Sequence, residues 1–225
     1  MNNKVDFDEF TEVYLEKTQA QTSFFNKSRD YFDVYKIKLF KEIIGSSKNM
    51  KILDFGCGIG LCLGHLVENF RNSKIFATDI SKKSLDAAKE KHSDVNFLSI
   101  DEIKNYKFDL IFMAGVLHHV ELKDRNSLIS DLNNILNIHG KIFITEHNPF
   151  NPITRRIVSN CEYDKDAILL KKKNLIKLLK NNNFSDVDSG YYLFFPELLK
   201  FFRFFEKYLR WLPLGGQYFV SAKKI

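Results

Sequence analysis

Cysteine is scarce in this chain, with three residues at positions 57, 62 and 161 and no paired spacing. That excludes a disulfide framework and fits a reducing compartment, so a cytoplasmic location is expected. Cys57 and Cys62 have no matching cysteine or histidine pair nearby, so no zinc site and no other metal is expected. No window approaches the roughly 18–20 uninterrupted apolar residues of a membrane-spanning helix. The start, Met1-Asn2-Asn3-Lys4-Val5-Asp6, lacks the apolar core of a signal peptide. Internal repeats and low-complexity linkers are missing too, and 225 residues suit one α/β domain spanning 1–225.

Charge is present but lopsided. Residues 1–154 carry 20 Lys/Arg against 21 Asp/Glu, whereas residues 155–225 carry 14 against 7. The basic surplus of the C-terminal third suits an anionic substrate, a membrane surface or nucleic acid, or simply solvated lysines on ordinary helices.

The stretch Lys51-Ile52-Leu53-Asp54-Phe55-Gly56-Cys57-Gly58-Ile59-Gly60 organises the rest. It reads as a buried strand, a tight turn and the start of a helix over 61–70, the layout of a nucleotide-type cofactor site. Glycine permits positive φ and a close backbone approach to a ligand. The spacing is Asp-x-Gly-x-Gly-x-Gly; the dinucleotide pattern Gly-x-Gly-x-x-Gly fails, because the third glycine would fall on Leu61 or Leu63. Further strands are predicted at Lys74–Thr78, Val95–Leu98, Phe108–Met113, Lys141–Thr145 and Gln217–Ala222. Helices are predicted over 6–44, 61–70, 82–91 (capped by Ser81), 124–137 and 172–181, with Asn183 as a left-handed stop. Such alternation argues for a parallel sheet with right-handed crossovers. Asp79 ends the second strand, nineteen positions beyond Gly60. A carboxylate there suits ribose hydroxyls, with helix capping as its alternative use.

The glycine loop, Asp79, Asp101 after the third strand, and Met113-Ala114-Gly115-Val116-Leu117-His118-His119-Val120 after the fourth together resemble class I S-adenosylmethionine (SAM) methyltransferases over residues 50–147. The resemblance implies a Rossmann-like fold with a seven-stranded, mostly parallel sheet of order 3-2-1-4-5-7-6 and helices on both faces. An N-terminal helical lid over 1–44 is also expected to cover the cofactor, with Tyr14, Phe24, Phe25 and Tyr31 either near the acceptor or part of the ordinary core. The resemblance assigns SAM to Asp54, Gly56, Cys57, Gly58, Gly60, Asp79, Ile80, Asp101, Glu102 and Met113. Asp101 would accept from the adenine amine and the Glu102 amide would reach a ring nitrogen. His118 is the expected general base, with His147 beside it, since imidazole titrates near neutrality; His119 is expected to be structural. Turn capping is the competing use of these histidines.

The loop Glu146-His147-Asn148-Pro149-Phe150-Asn151-Pro152 is expected either to fix a substrate or to serve as a rigid connector. The segment Pro196–Leu212 is predicted to form a helix whose apolar side chains sweep about 240°, more than one packed face requires. Its second side is expected to meet a lipid-linked acceptor, a membrane or a second subunit, or else to be sunk in the domain's own core and covered by the N-terminal segment. The expected function is methyl transfer to a small or carrier-linked acceptor, a sugar or lipid hydroxyl, without a nucleic-acid partner. A nucleotide-linked oxidoreductase, a non-catalytic SAM-binding protein and an RNA-directed methyltransferase are the competing readings.

Overall fold

A computed structural model describes Asp8, residues 30–45 and residues 49–225. Its centre is β1 (Lys51–Phe55), every residue of which after Lys51 is buried. β1 pairs in parallel with β2 (Lys74–Thr78) on one side and β4 (Phe108–Ala114) on the other. β3 (Asn96–Phe97) adds outside β2, and β5 (Leu136–His147) outside β4. β7 (Gln217–Lys224) then runs antiparallel between β5 and β6 (Phe184–Tyr192). The order 3-2-1-4-5-7-6 is the expected one.

Alternation along the strands feeds two apolar layers, as the period-2 geometry of a strand requires. Ile52, Phe112 and Phe143 point to one face, where α1 (Tyr31–Ile44), α2 (Leu63–Asn69) and α3 (Lys82–Lys91) pack. Leu53, Ile111, Met113, Ile142 and Ile144 point to the other, against α4 (Arg125–Ile135) and α6 (Lys172–Asn181), between which the chain forms α5 (Pro152–Ser159). In α1, Phe40 is fully buried, with its ring 5.1–5.3 Å from those of Phe70, Phe112 and Phe143. Burying one such side chain contributes about 1.5–3 kcal/mol. α1 is thus a core helix; of the residues named for the expected lid over 1–44, Tyr31 has the Arg203 guanidinium over its ring at 4.2 Å, and Tyr14, Phe24 and Phe25 lie outside the described residues.

Local signals behave as their chemistry dictates. The Ser81 side chain accepts from Ser84 N to cap α3, and Asn183 sits at φ 59°. The predicted helix over 124–137 stops at Ile135, because Leu136 already pairs with Phe108. A register shift follows before Leu110 meets Lys141, and β5 is accordingly longer than expected.

The segment 196–212 is not the continuous helix its periodicity suggests. Glu197–Phe205 forms tight 3₁₀ turns broken at Leu199, followed by a single turn, α7 (Glu206–Leu209). Glu206 is the reason. Assigned by the helical wheel to the polar arc, it is 2% exposed and accepts from the amides of Leu193, Phe194 and Phe195 and from the Tyr35 hydroxyl. Three amides on one carboxylate draw the segment back onto the end of β6, and this outweighs helical regularity. Leu198, Phe201, Phe204, Tyr208 and Trp211 remain exposed.

Candidate functional site

The C-terminal ends of β1, β2, β4 and β5 form one rim, on which the sequence-predicted residues fall into two groups. On the first, the chain turns sharply after β1. Gly56 and Cys57 both donate to the Thr78 carbonyl, at 2.9 and 3.1 Å. Gly56, Gly58 and Gly60 all have φ between 52° and 84°. At Gly56 a Cβ would lie 2.4 Å from Val116 Cγ2, so glycine here lets the turn after β4 close against the loop. At Gly58 a Cβ would enter open space, and only a bare backbone leaves that space to a ligand.

Asp79 braces the loop from below. One carboxylate oxygen accepts from Gly58 N at 2.7 Å and the other from Ser81 N at 2.8 Å, leaving lone pairs for further donors. Asp54 is 2% exposed and its Oδ2 has no partner. Burial first, then the charges of Asp79 and Asp33 against that of Lys36, push its pKa up to about 8. An unpaired buried carboxyl facing a glycine loop is what an ammonium group of a ligand would satisfy. Ile80 presents its side chain to solvent at 79% exposure. Asp101 is exposed and paired with Lys104 at 2.8 Å, and Glu102 turns back to accept from Ser99 N at 2.7 Å. Met113 is wholly buried in the core, so only its backbone borders the rim. SAM, with its amino, sulfonium and ribose groups, fits the donors and acceptors that are present here.

The second group is a buried ionic cluster. His118 is 2% exposed and its Nδ1 lies 2.6 Å from Glu146 Oε2, while the other Glu146 oxygen accepts from Leu117 N at 2.7 Å. His118 Nε2 faces Asp164 Oδ1 at 3.5 Å, and His119 Nε2 faces the same oxygen at 3.3 Å. His119 Nδ1 faces Asp166 Oδ1, also at 3.3 Å. The ring of His147 lies 5.0 Å from that of His118.

Burial alone would lower the His118 pKa, but Glu146 and then Asp164 outweigh it and lift it to about 10. Burial and the neighbouring His118 charge pull His147 down to about 4. Asp164 is held well below the carboxylate range by both histidines, despite its burial. Without a bound ion, these shifts leave His118 charged at neutral pH and His147 neutral.

Sequence reasoning missed Asp164, Asp166 and Arg125. Arg125, 3% exposed, donates to the carbonyls of Val120 and Ile168, and Ile168 N donates to the His118 carbonyl at 2.7 Å. These bonds bring the 161–168 loop beneath the histidines. The only sequence signal was a pair of alternating acids, Asp164-Lys165-Asp166, too common to identify a site. The Asn-Pro-Phe-Asn-Pro block proves to be a clamp. Asn148 donates to the Pro213 and Gly215 carbonyls and Asn151 to that of Leu214, while Thr154 Oγ1 donates to the Gly216 carbonyl.

Sheet order, glycine loop and rim are those of the Rossmann-like class I methyltransferase fold. Residues 53–142 match the family model described as "Methyltransferase domain". The chain is similar to malonyl-[acyl-carrier protein] O-methyltransferase 1 of Ilyobacter polytropus, at 35% identity over 48% of this chain and 41% of that protein. It thus spans about two fifths of the length of this curated relative. A SAM-dependent methyltransferase of Thermotoga maritima, titled a possible histamine N-methyltransferase, superposes with TM-score 0.69 at 16% identity, covering 97% and 98% of the two chains. Magnesium protoporphyrin IX methyltransferase of Synechocystis PCC 6803, solved with bound SAM, superposes with TM-score 0.62 at 16% identity over both chains entirely.

Proposed function

We propose that this chain transfers the methyl group of SAM to a hydroxyl of a small or carrier-linked acceptor, a sugar or lipid-linked intermediate. The observation that carries this reading is the pairing of the glycine cradle with a buried histidine–carboxylate cluster on the same rim. When bound, SAM supplies an activated methyl on a sulfonium leaving group. Asp54 pairs with its amino group, and the backbone of Gly56, Cys57, Gly58 and Gly60 gives way to its methionine end. Asp79 accepts from the ribose. Ile80 covers the adenine, Asp101 and the Glu102 amide read its edge, and the Met113 backbone borders the transfer site.

On the acceptor side, His147 is the group that receives the hydroxyl proton, since a neutral imidazole has a lone pair to offer. His118 faces carboxylates with both ring nitrogens, Glu146 through Nδ1 and Asp164 through Nε2, so its role here is to position them. This moves the proton-accepting role from His118, where the sequence suggested it, to its neighbour. The similarity to a protein named an O-methyltransferase of an acyl-carrier-protein substrate supports oxygen as the acceptor and a carrier as its mount. The exposed aromatic residues at 198–211 and the basic surplus of the C-terminal third support a lipid-linked acceptor, with peripheral membrane contact or a homodimer interface at that segment.

The test is transfer of labelled methyl from SAM to a panel of nucleotide sugars, lipid-linked sugars, acyl-carrier protein and RNA. Label in a hydroxyl of one of the first three classes is expected, and His147→Ala should lower turnover about a hundredfold. Label confined to RNA, or SAM binding with no transfer to any class, would overturn it.

A further inference from the structure

The geometry points to a transition-metal site: we propose that His118 Nε2, His119 Nε2 and Asp164 Oδ1 bind one divalent ion of the zinc class, with a coordination position left open at the rim. The three ligand atoms all lie within 4.8 Å of one another. The two nitrogen–oxygen separations are 3.5 and 3.3 Å. They match the edges of about 3.3–3.4 Å that a tetrahedron with metal–donor bonds near 2.0–2.1 Å would have.

The outer partners point the same way. Each histidine turns Nδ1 to a carboxylate of its own, His118 to Glu146 and His119 to Asp166, which leaves Nε2 as the coordinating nitrogen of both rings. Carboxylate–histidine–metal relays of this form orient the imidazole and strengthen it as a ligand. One Asp164 oxygen serves both Nε2 atoms. A single dication placed between them would satisfy all three ligand atoms at once.

The donor set of two imidazoles and one carboxylate suits zinc or its first-row neighbours, and disfavours magnesium and calcium, which take oxygen cages. The position is rigid. His118 and His119 share one 3₁₀ turn, Leu117–His119, and Asp164 ends another, Glu162–Asp164. The Ile168–His118 and Arg125–Ile168 hydrogen bonds lock the two turns together. Three protein ligands leave a fourth place for an oxygen donor, water or an acceptor hydroxyl, the arrangement typical of a catalytic rather than a structural zinc site. The sequence hid this site because its ligands come from segments 45 residues apart and match no spaced motif.

The experiment uses the whole chain, stripped with a chelator and titrated with Co²⁺, then with Zn²⁺ in competition and Mg²⁺ as control; neither SAM nor an acceptor is present, so the result is independent of the methyl-transfer reading. One equivalent of Co²⁺ with a visible ligand-field band, displaced by Zn²⁺ and not by Mg²⁺, is expected. His119→Ala and Asp164→Asn should each lower affinity at least a hundredfold, and Asp166→Asn, which keeps every ligand and so guards against misfolding, about tenfold. Substoichiometric uptake by the parent chain, or uptake unchanged in all three variants, would overturn the site.

Discussion

The two sides of the rim solve the problem of holding a polar ligand in opposite ways. The glycine-loop side, where we propose the cofactor binds, relies on backbone: glycines at positive φ, amides braced by Asp79, and a buried carboxyl at Asp54. The histidine side, where we propose the acceptor binds, relies on side chains, packing His118, Glu146 and Asp164 together with little exposure to water. A backbone cradle tolerates change in distant residues, because its shape is set by local φ and ψ. A buried ionic cluster does not, since each charge is stable only while its partners are present.

The largest effect should therefore come from Glu146→Gln. Removing this charge leaves the buried His118 cation with one distant carboxylate, and unfolding in urea should show a loss of about 3–5 kcal/mol. The pH dependence sharpens the point. His118 titrates higher in the fold than its ordinary 6.5, so the stability it contributes is full below pH 6.5 and is lost as pH rises toward 10. Asp164 titrates lower than its ordinary 3.8, so its contribution is present above that value and lost as pH falls below it. Stability of the chelator-stripped parent chain should decline between pH 6.5 and 10, and the decline should flatten in stripped Glu146→Gln. An equal decline in both would detach the cluster from stability.

Asp79→Ala should weaken SAM binding by roughly 1.5–3 kcal/mol, the scale of hydrogen bonds to a charged acceptor, as read by calorimetry. Gly58→Ala should cost only about 1 kcal/mol in folding, from the left-handed φ, because its Cβ meets nothing in the fold. Its loss of SAM affinity should exceed its loss of stability, since that Cβ enters the cradle. Trp211→Glu, at an exposed position, should change stability by less than about 0.5 kcal/mol and so mark the baseline for surface effects.

The same contrast explains what could be read from the sequence. The cofactor side is local: strand, glycine spacing and Asp79 lie within thirty residues, and each has a periodicity or steric reason visible in the letters. Sheet order followed from that local pattern and the family resemblance. The acceptor side was legible only in part. His118 and His147 could be picked out as candidates, but their protonation depends on Glu146 and Asp164, which tertiary packing delivers. Periodicity misled at 196–212, where nothing in a helical wheel reveals that Glu206 will be turned inward by three amides. The Asn148 and Asn151 side chains likewise hold a turn more than sixty residues away, which no local rule anticipates.

The central claim is that cofactor binding and acceptor chemistry are carried by separate parts of this rim. The most direct test is the dissociation constant of SAM, by titration calorimetry, for the parent chain and for His147→Ala. Micromolar binding that changes by less than about twofold, a difference well under 1 kcal/mol, is the predicted result. No heat with SAM in the parent chain, or a loss of tenfold or more in His147→Ala, would contradict it.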